Sequence, residues 1–262
     1  MVRRPLGNHL HGPDTLLVTS HTTSDANEIE KLRVLITSAQ VVLWDFDGPI
    51  CRLFAGHKAE RIAADLVGWL ERQGLHGLLT ESERTTPDPQ VVLRAVGRSR
   101  PGSDLVTGLE ERLTQEELRA ASSALPTAYA DPVIRTWTAV GARLAVTTNN
   151  SPRVVRTYLE SRGLTACFAP HLYGRTGQLH HLKPDPHCLL RALSATGAAP
   201  ADALMIGDAP SDFAAARDAG VPFLGYARNE DKEKPLRAAG ATHVVRSLEP
   251  LLRLLRNGGR AG

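Results

Sequence analysis

Two aspartates one residue apart, Asp45 and Asp47, close the apolar run Val41-Val42-Leu43-Trp44 and are followed at once by Gly48 and Pro49. In an extended segment alternate side chains share a face, so both carboxylates point one way and Phe46 the other. Two carboxylates at that spacing repel. A hard divalent cation with oxygen ligands offsets the repulsion. The pair also allows a division of labour, one carboxylate as nucleophile and the other, with a raised pKa, as general acid and base. By itself the decapeptide fits a strand ending in a solvated turn equally naturally, because Asp and Gly are common turn formers.

Asp208 follows a second apolar run, Leu204-Met205-Ile206-Gly207, and repeats the arrangement at another strand end, with Asp212 four residues on. Thr148 and Asn149 follow a third run, Leu144-Ala145-Val146-Thr147. Taken alone, Thr148 reads as an ordinary strand-end threonine and Lys183 as a surface lysine. Asn150 and Ser151 read as turn and helix-cap residues.

The runs that carry these residues alternate with helical patterns, which predicts a parallel, doubly wound sheet. In such sheets ligands bind beyond the carboxyl ends of the strands. Strands are expected at Val41–Trp44, Arg143–Thr147, within Phe168–Tyr173, at Leu204–Ile206, Val221–Gly225 and His243–Val245. Residues 1–27, rich in His, Thr, Ser, Gly and Pro, are expected to be a flexible extension. His9, His11 and His21 fall in it and are not read as a metal site. A short helix capped by Asp25 or Asn27 should follow, with Ile29, Leu32, Leu35 and Ile36 at helical spacing. Between residues 55 and 126 only helical periodicity occurs, for example Ile62, Leu66, Trp69 and Leu70, then Leu109, Leu113 and Leu118. The expected division is 28–54 with 127–256 as the core and 55–126 as a separate helical module. The closing tail, 257–262, is expected to fray.

With 42% hydrophobic and 23% charged residues, the composition is that of an ordinary soluble globular protein. The net charge is +3, and the lysines, Lys31, Lys58, Lys183, Lys232 and Lys234, are scattered without a basic stripe. Nucleic acid is not an expected partner. Cys51, Cys167 and Cys188 have neither zinc spacing nor a disulfide framework. No apolar stretch is long enough to span a membrane, and no apolar segment of a signal peptide follows Arg3 and Arg4. A reducing cytoplasm is the expected compartment.

Asp45-Phe46-Asp47-Gly48, Leu144 to Asn149 with its terminal Thr148, Lys183-Pro184-Asp185-Pro186, and Gly207-Asp208 followed by Asp212 resemble the four motifs of the haloacid dehalogenase-like hydrolases, in the family's order. The likeness covers roughly residues 40 to 250. Pro49 departs from the family, which has Thr there, and leaves a loop hydrogen bond in question. The resemblance implies a Rossmann-like core with an all-helical cap inserted after the first motif. It also implies a Mg²⁺-dependent phosphatase acting on a small-molecule phosphate ester. Asp45 would be the nucleophile and Asp47 the general acid and base. Asp45, the Asp47 backbone carbonyl and Asp208 would hold Mg²⁺, with Asp212 supporting that shell directly or through water. Thr148, the Asn149 backbone N–H and Lys183 would bind the phosphoryl group. Apart from the resemblance, Arg52 lies close enough to the first motif to be expected to reach an anionic substrate. The same residues suit a sugar phosphomutase, and a catalytically idle binding protein with this fold is the third alternative. A dehalogenase has no use for the acid at Asp47. A phosphonate hydrolase would need a cap lysine, and Lys58 is the sole one. The sequence leaves the substrate open, and the oligomeric state too, monomer or dimer.

Overall fold

The computed structural model describes residues 19–258. The chain opens with α1 (Thr19–Thr37) and enters β1 (Val41–Trp44), all four residues of which are buried. A two-residue strand, β2 (Cys51–Arg52), leads into α2 (Ala59–Arg72), α3 (Glu81–Arg84), α4 (Pro89–Ser99) and α5 (Asp104–Ala121), and β3 (Leu125–Pro126) leads back. Then follow α6 (Ala130–Ala139), β4 (Arg143–Thr147), α7 (Pro152–Ser161), α8 (Thr165–Phe168), β5 (Leu172–Tyr173) and α9 (His187–Thr196). The chain closes with β6 (Ala203–Gly207), α10 (Pro210–Asp218), β7 (Phe223–Tyr226), α11 (Glu230–Ala239), β8 (Val244–Val245) and α12 (Glu249–Gly258).

The main sheet has six parallel strands in the order β5-β4-β1-β6-β7-β8. Its strand order turns at β1, whose neighbours β4 and β6 lead off in opposite directions, and this is where a crevice opens in such sheets. The alternation of β1 explains its buried, uniformly apolar sequence. Val42 and Trp44 join one apolar cluster with Val133, Trp137 and Val154, whereas Val41 and Leu43 join another with Leu189, Ala192 and Ala215. Helices therefore cover both faces. Trp44 meets Trp137 edge to face, ring centroids 5.8 Å apart.

The helical module leaves and rejoins the core through β2 and β3, an antiparallel pair matching Cys51 with Pro126 and Arg52 with Leu125. It has an apolar core of its own, including Ile62, Leu66, Leu70, Val92, Val96, Leu109 and Leu113. Leu179 and Leu182, from the loop between β5 and α9, dock into the same cluster and tie module to core.

Two local expectations need correction. α1 begins at Thr19, before the expected caps Asp25 and Asn27 and inside the segment read as flexible. Once a helix is nucleated each further residue adds a hydrogen bond, so the polar run extends it. Residues 1–18, with His9 and His11, and residues 259–262 lie outside the described residues, whereas Asn257 and Gly258 belong to α12. The sequence pattern suggests only a helical turn or two over Pro235–Ala239, but α11 starts at Glu230: the Asn229 side chain caps it by accepting from Lys232 N–H at 3.0 Å, and Glu230, Asp231 and Glu233 suit the positive end of its dipole. The helical periodicity around Leu109, Leu113 and Leu118 is realised as the single helix α5, followed by β3. Among the described residues no helix is long and apolar enough to cross a membrane.

Candidate active site

The carboxyl end of β1 delivers Asp45, whose N–H still donates to Ile206 O of β6 at 2.8 Å, so the nucleophile candidate is held by the sheet ladder itself. Phe46 turns into the core and meets Tyr158 edge to face, ring centroids 5.4 Å apart. Asp47 Oδ1 accepts the Leu53 N–H at 2.8 Å. Gly48 turns the chain with φ +123°, and a Cβ there would lie 2.5 Å from the Asp208 carboxyl carbon. Only glycine satisfies both demands. The loop also receives a hydroxyl hydrogen bond despite Pro49: Thr127 Oγ1 donates to Gly48 O at 2.5 Å.

Lys183 is buried beneath the carboxylates. Its Nζ donates to Asp45 Oδ1 at 2.7 Å and to Thr147 O at 2.9 Å, and it pairs with Asp212 Oδ1 at 2.6 Å. The Asn149 side chain holds both ends of that lysine's backbone: Lys183 N–H donates to Asn149 Oδ1 at 2.8 Å, and Asn149 Nδ2 donates to Lys183 O at 3.1 Å. Arg94 of α4 donates to the same carbonyl. On the other side of Asp45, Asp212 Oδ2 accepts the N–H groups of Asp208 and Ala209, both at 3.0 Å, at the start of α10. Asp208 Oδ2 lies 3.3 Å from Lys232 Nζ.

Burial sets the electrostatics. It pushes Asp45 up to about 7, with Lys183 pulling the other way and Asp212 and Asp208 adding to the rise. Asp47 is likewise pushed up to about 7 by burial, against the Leu53 hydrogen bond. Asp208 reaches about 7 for the same first reason, opposed by Lys232. Burial works against the charge of Lys183, but Asp212 and Asp45 outweigh it and hold the ammonium above its ordinary range. The site is an anionic cluster only partly balanced by lysine.

Asp45, Asp208 and Asp212 each offer a carboxylate oxygen within 4.8 Å of the others. An all-oxygen, electron-rich donor set of this kind fits Mg²⁺. The hydrogen bonds divide the three. Both oxygens of Asp212 already serve Lys183 and two backbone N–H groups, which suits a residue that orients the others. Asp45 Oδ2 and Asp208 Oδ1 have no hydrogen-bond partner among the described residues, which leaves these two for a cation.

The model of the haloacid dehalogenase-like hydrolases matches residues 39–220, a span containing every one of these groups except Lys232. The chain belongs to that family. Phosphoglycolate phosphatase of Rhodospirillum rubrum is 28% identical over 218 residues, 78% of this chain and 86% of that protein. Among solved structures, a family hydrolase from Deinococcus radiodurans with bound phosphate and sodium is 25% identical, with a TM-score of 0.56 over 85% of this chain and 97% of that one. CbbY from Rhodobacter sphaeroides in complex with phosphate has a TM-score of 0.60 at 19% identity over 83% of this chain and 99% of that one, a likeness of fold.

In this haloacid dehalogenase-like hydrolase, Asp45, Asp47, Asp208, Asp212 and Lys183 are gathered at one end of the sheet. Asn149 reaches the group through the Lys183 backbone. Thr148 is buried beside it, its hydroxyl 3.1 Å from Asn150 Oδ1. Arg52 is exposed on β2 and makes no ion pair among the described residues. Sequence reasoning missed Lys232, Arg94, Glu117 and Arg175. Two of them carried a local signal: Lys232 is one of five lysines, on the helix after β7, and Glu117 continues the helical spacing of Leu109 and Leu113.

Proposed function

We propose that this hydrolase is a Mg²⁺-dependent phosphatase that cleaves a small-molecule phosphate monoester through a phospho-aspartate on Asp45. The observation that carries the reading is the opposite treatment of two neighbouring carboxylates. Burial pushes both up to about 7, but Asp45 is tied to a buried ammonium at 2.7 Å, whereas Asp47 is tied only to a backbone N–H. A carboxylate beside a lysine suits a nucleophile, and one poised near neutrality suits a general acid and base.

In this reading the Asp45 carboxylate attacks phosphorus and the ester oxygen leaves with the proton of Asp47. Asp47 then takes a proton from the water that hydrolyses the acyl phosphate, restoring both carboxyl groups. Lys183 neutralises charge spreading over the phosphoryl oxygens, and the Thr148 hydroxyl and Asn149 N–H donate to them. Asp212 keeps the Asp208 loop and Lys183 in place. When bound between Asp45, Asp208 and the Asp47 carbonyl, Mg²⁺ supplies the positive charge that lets an anionic carboxylate meet an anionic phosphate. The helical module, 55–126, acts as a lid that excludes bulk water and contacts the leaving group. Arg52, exposed on β2 where the helical module leaves the core, contacts an anionic substrate such as 2-phosphoglycolate, the ester named in the R. rubrum relative. The free thiols Cys51, Cys167 and Cys188 suit a reducing cytoplasm.

The test is a panel of phosphate esters with Mg²⁺, then mass spectrometry of protein quenched during turnover. Phosphate release, its loss on chelation, and a phosphoryl group on Asp45 are expected. Asp45→Asn should lower turnover at least ~10³-fold. Retained steady-state turnover in that variant would overturn the covalent route.

A further inference from the structure

Behind the loop Thr148 to Ser151 lies a second buried ionic cluster. Arg175, just after β5, and Glu117, on α5 of the helical module, form a two-point pair with side chains 0% exposed. Arg175 NH1 donates to Glu117 Oε1 at 2.8 Å and NH2 to Glu117 Oε2 at 3.1 Å. NH2 also donates to Thr114 Oγ1 at 3.0 Å, NH1 to Asn149 O at 3.0 Å, and the Arg175 N–H to Asn150 O at 2.9 Å. Gly174 permits that approach, since a Cβ there would lie 2.5 Å from Asn150 O. Glu117 then passes its orientation on. Oε1 accepts from Asn150 Nδ2 at 3.0 Å and Oε2 from Ser151 N–H at 3.1 Å. With its amide fixed that way, Asn150 turns Oδ1 toward the Thr148 hydroxyl at 3.1 Å, and its own N–H donates to Thr148 Oγ1 at 3.2 Å.

We infer that Glu117, a residue of the helical module, and its partner Arg175 are positioning residues for the phosphoryl-binding loop, acting on Thr148 and Asn149 through Asn150 and the Asn149 carbonyl. The inference rests on the phosphatase reading. A buried ion pair adds little stability over apolar residues of the same shape, so stability alone gives no reason for it. Direction does. Every hydrogen bond on Glu117 is charge-assisted and aimed, and such bonds fix a loop more narrowly than apolar packing. The Thr148 hydroxyl has one proton. With the Asn150 N–H holding its oxygen from behind, that proton can swing from Asn150 Oδ1 to an arriving phosphate oxygen without the side chain moving. The module thereby contributes to phosphoryl binding without touching the phosphoryl group.

The test measures binding of inorganic phosphate in the presence of Mg²⁺, by calorimetry and as a competitive inhibitor, in wild type, Glu117→Gln and Asn150→Ser. Measurements are made where circular dichroism shows native protein. Glu117→Gln keeps size but replaces one acceptor with a donor facing donors. Asn150→Ser leaves the ion pair intact and cuts its link to Thr148. Both are expected to weaken phosphate binding about tenfold or more and to raise KM by the same factor. A structural role would lower thermal stability and leave phosphate affinity in the folded protein unchanged. Affinity within twofold of wild type in either folded variant overturns the inference, as does failure of both to fold. A wild type that hydrolyses no ester and binds no phosphate sinks the phosphatase reading instead.

Discussion

The two buried ionic clusters of this hydrolase are built on opposite terms. Around β1, the carboxylates Asp45, Asp47, Asp208 and Asp212 face the ammonium groups of Lys183 and Lys232, and anions are in excess. Three of those acids are pushed up to about 7 as a result of burial. At the join of module and core, Arg175 and Glu117 balance, and Glu110 Oε1 lies 3.5 Å from Arg175 Nε as a further anion. One cluster stores unsatisfied charge and so has an appetite for a cation and for protons. The other is closed and gives its neighbours only direction. A site that must change charge during turnover needs the first design, and a site that must hold still needs the second.

The sharpest way to test the first design is to remove its proton carrier. Asp47→Asn keeps shape and backbone but loses the proton, and loss of general acid–base help typically costs ~10²–10⁴-fold. The loss should depend on the leaving group. An alkyl ester needs protonation of a basic alkoxide, whereas p-nitrophenolate leaves unaided. Single-turnover phosphorylation of Asp45 should therefore survive better with p-nitrophenyl phosphate, and phospho-enzyme should accumulate because the water still needs Asp47. Equal losses for both esters would mean that Asp47 only shapes the loop.

The same contrast explains what was legible in the sequence. Asp45, Asp47 and Asp208 each end an apolar run, and Gly48 follows directly, so a local pattern marks them and the sheet does the gathering. Asp45, one of the two acids that Lys183 pairs with, lies 138 residues away in sequence, and only the order of motifs pointed to that pairing. Glu117 carried a weaker mark, four residues after Leu113 and eight after Leu109, on the apolar face of α5. It sits on α5 with Glu110, Glu111 and Glu116, and only its spacing from Leu109 and Leu113 separates it from Glu111, which is exposed and pairs with Arg153; the spacing says that it faces inward but not what it pairs with. Burial of a glutamate is decided by what packs on it from a distance, here Arg175 and the Asn150 loop. The element pattern was legible for the same reason as the aspartates, while the starts of α1 and α11 depended on helix propagation and capping that polar residues signal weakly.

Breaking the second design should be costly in one step and cheap in two. Glu117→Ala or Arg175→Ala leaves a buried charge unpaired, with an expected loss of roughly 3–5 kcal/mol in unfolding free energy. Glu117→Leu with Arg175→Met removes both charges at similar volume and should recover most of it. Denaturant titration of the three variants beside wild type checks this. A double variant as unstable as the sum of the singles would show that the pair itself, rather than the unpaired ion, carries the stability.

The smallest effect separates the clusters by their response to protons and metal. In the metal-free protein Asp45, Asp47 and Asp208 are raised from an ordinary 3.8 to about 7. Between those values the folded chain holds protons that the unfolded chain has released. Stability contributed by these groups is therefore greatest below about pH 4, falls as pH rises toward 7, and levels off beyond it. Mg²⁺ binds the deprotonated carboxylates, so its stabilising effect should grow over the same interval. At a concentration a hundredfold above its dissociation constant the gain is about 2.7 kcal/mol, a shift of several degrees in Tm for a chain of this size. Scanning calorimetry near pH 5 and near pH 8, with and without Mg²⁺, should show a metal-induced rise that is small at the lower pH and large at the higher. Asp208→Asn should abolish it. The Glu117→Leu, Arg175→Met variant should keep both the pH dependence and the metal response, because that pair has no charge left to titrate or share. A Mg²⁺ shift of equal size at both pH values would mean that the cation binds elsewhere than the Asp45–Asp208 pair.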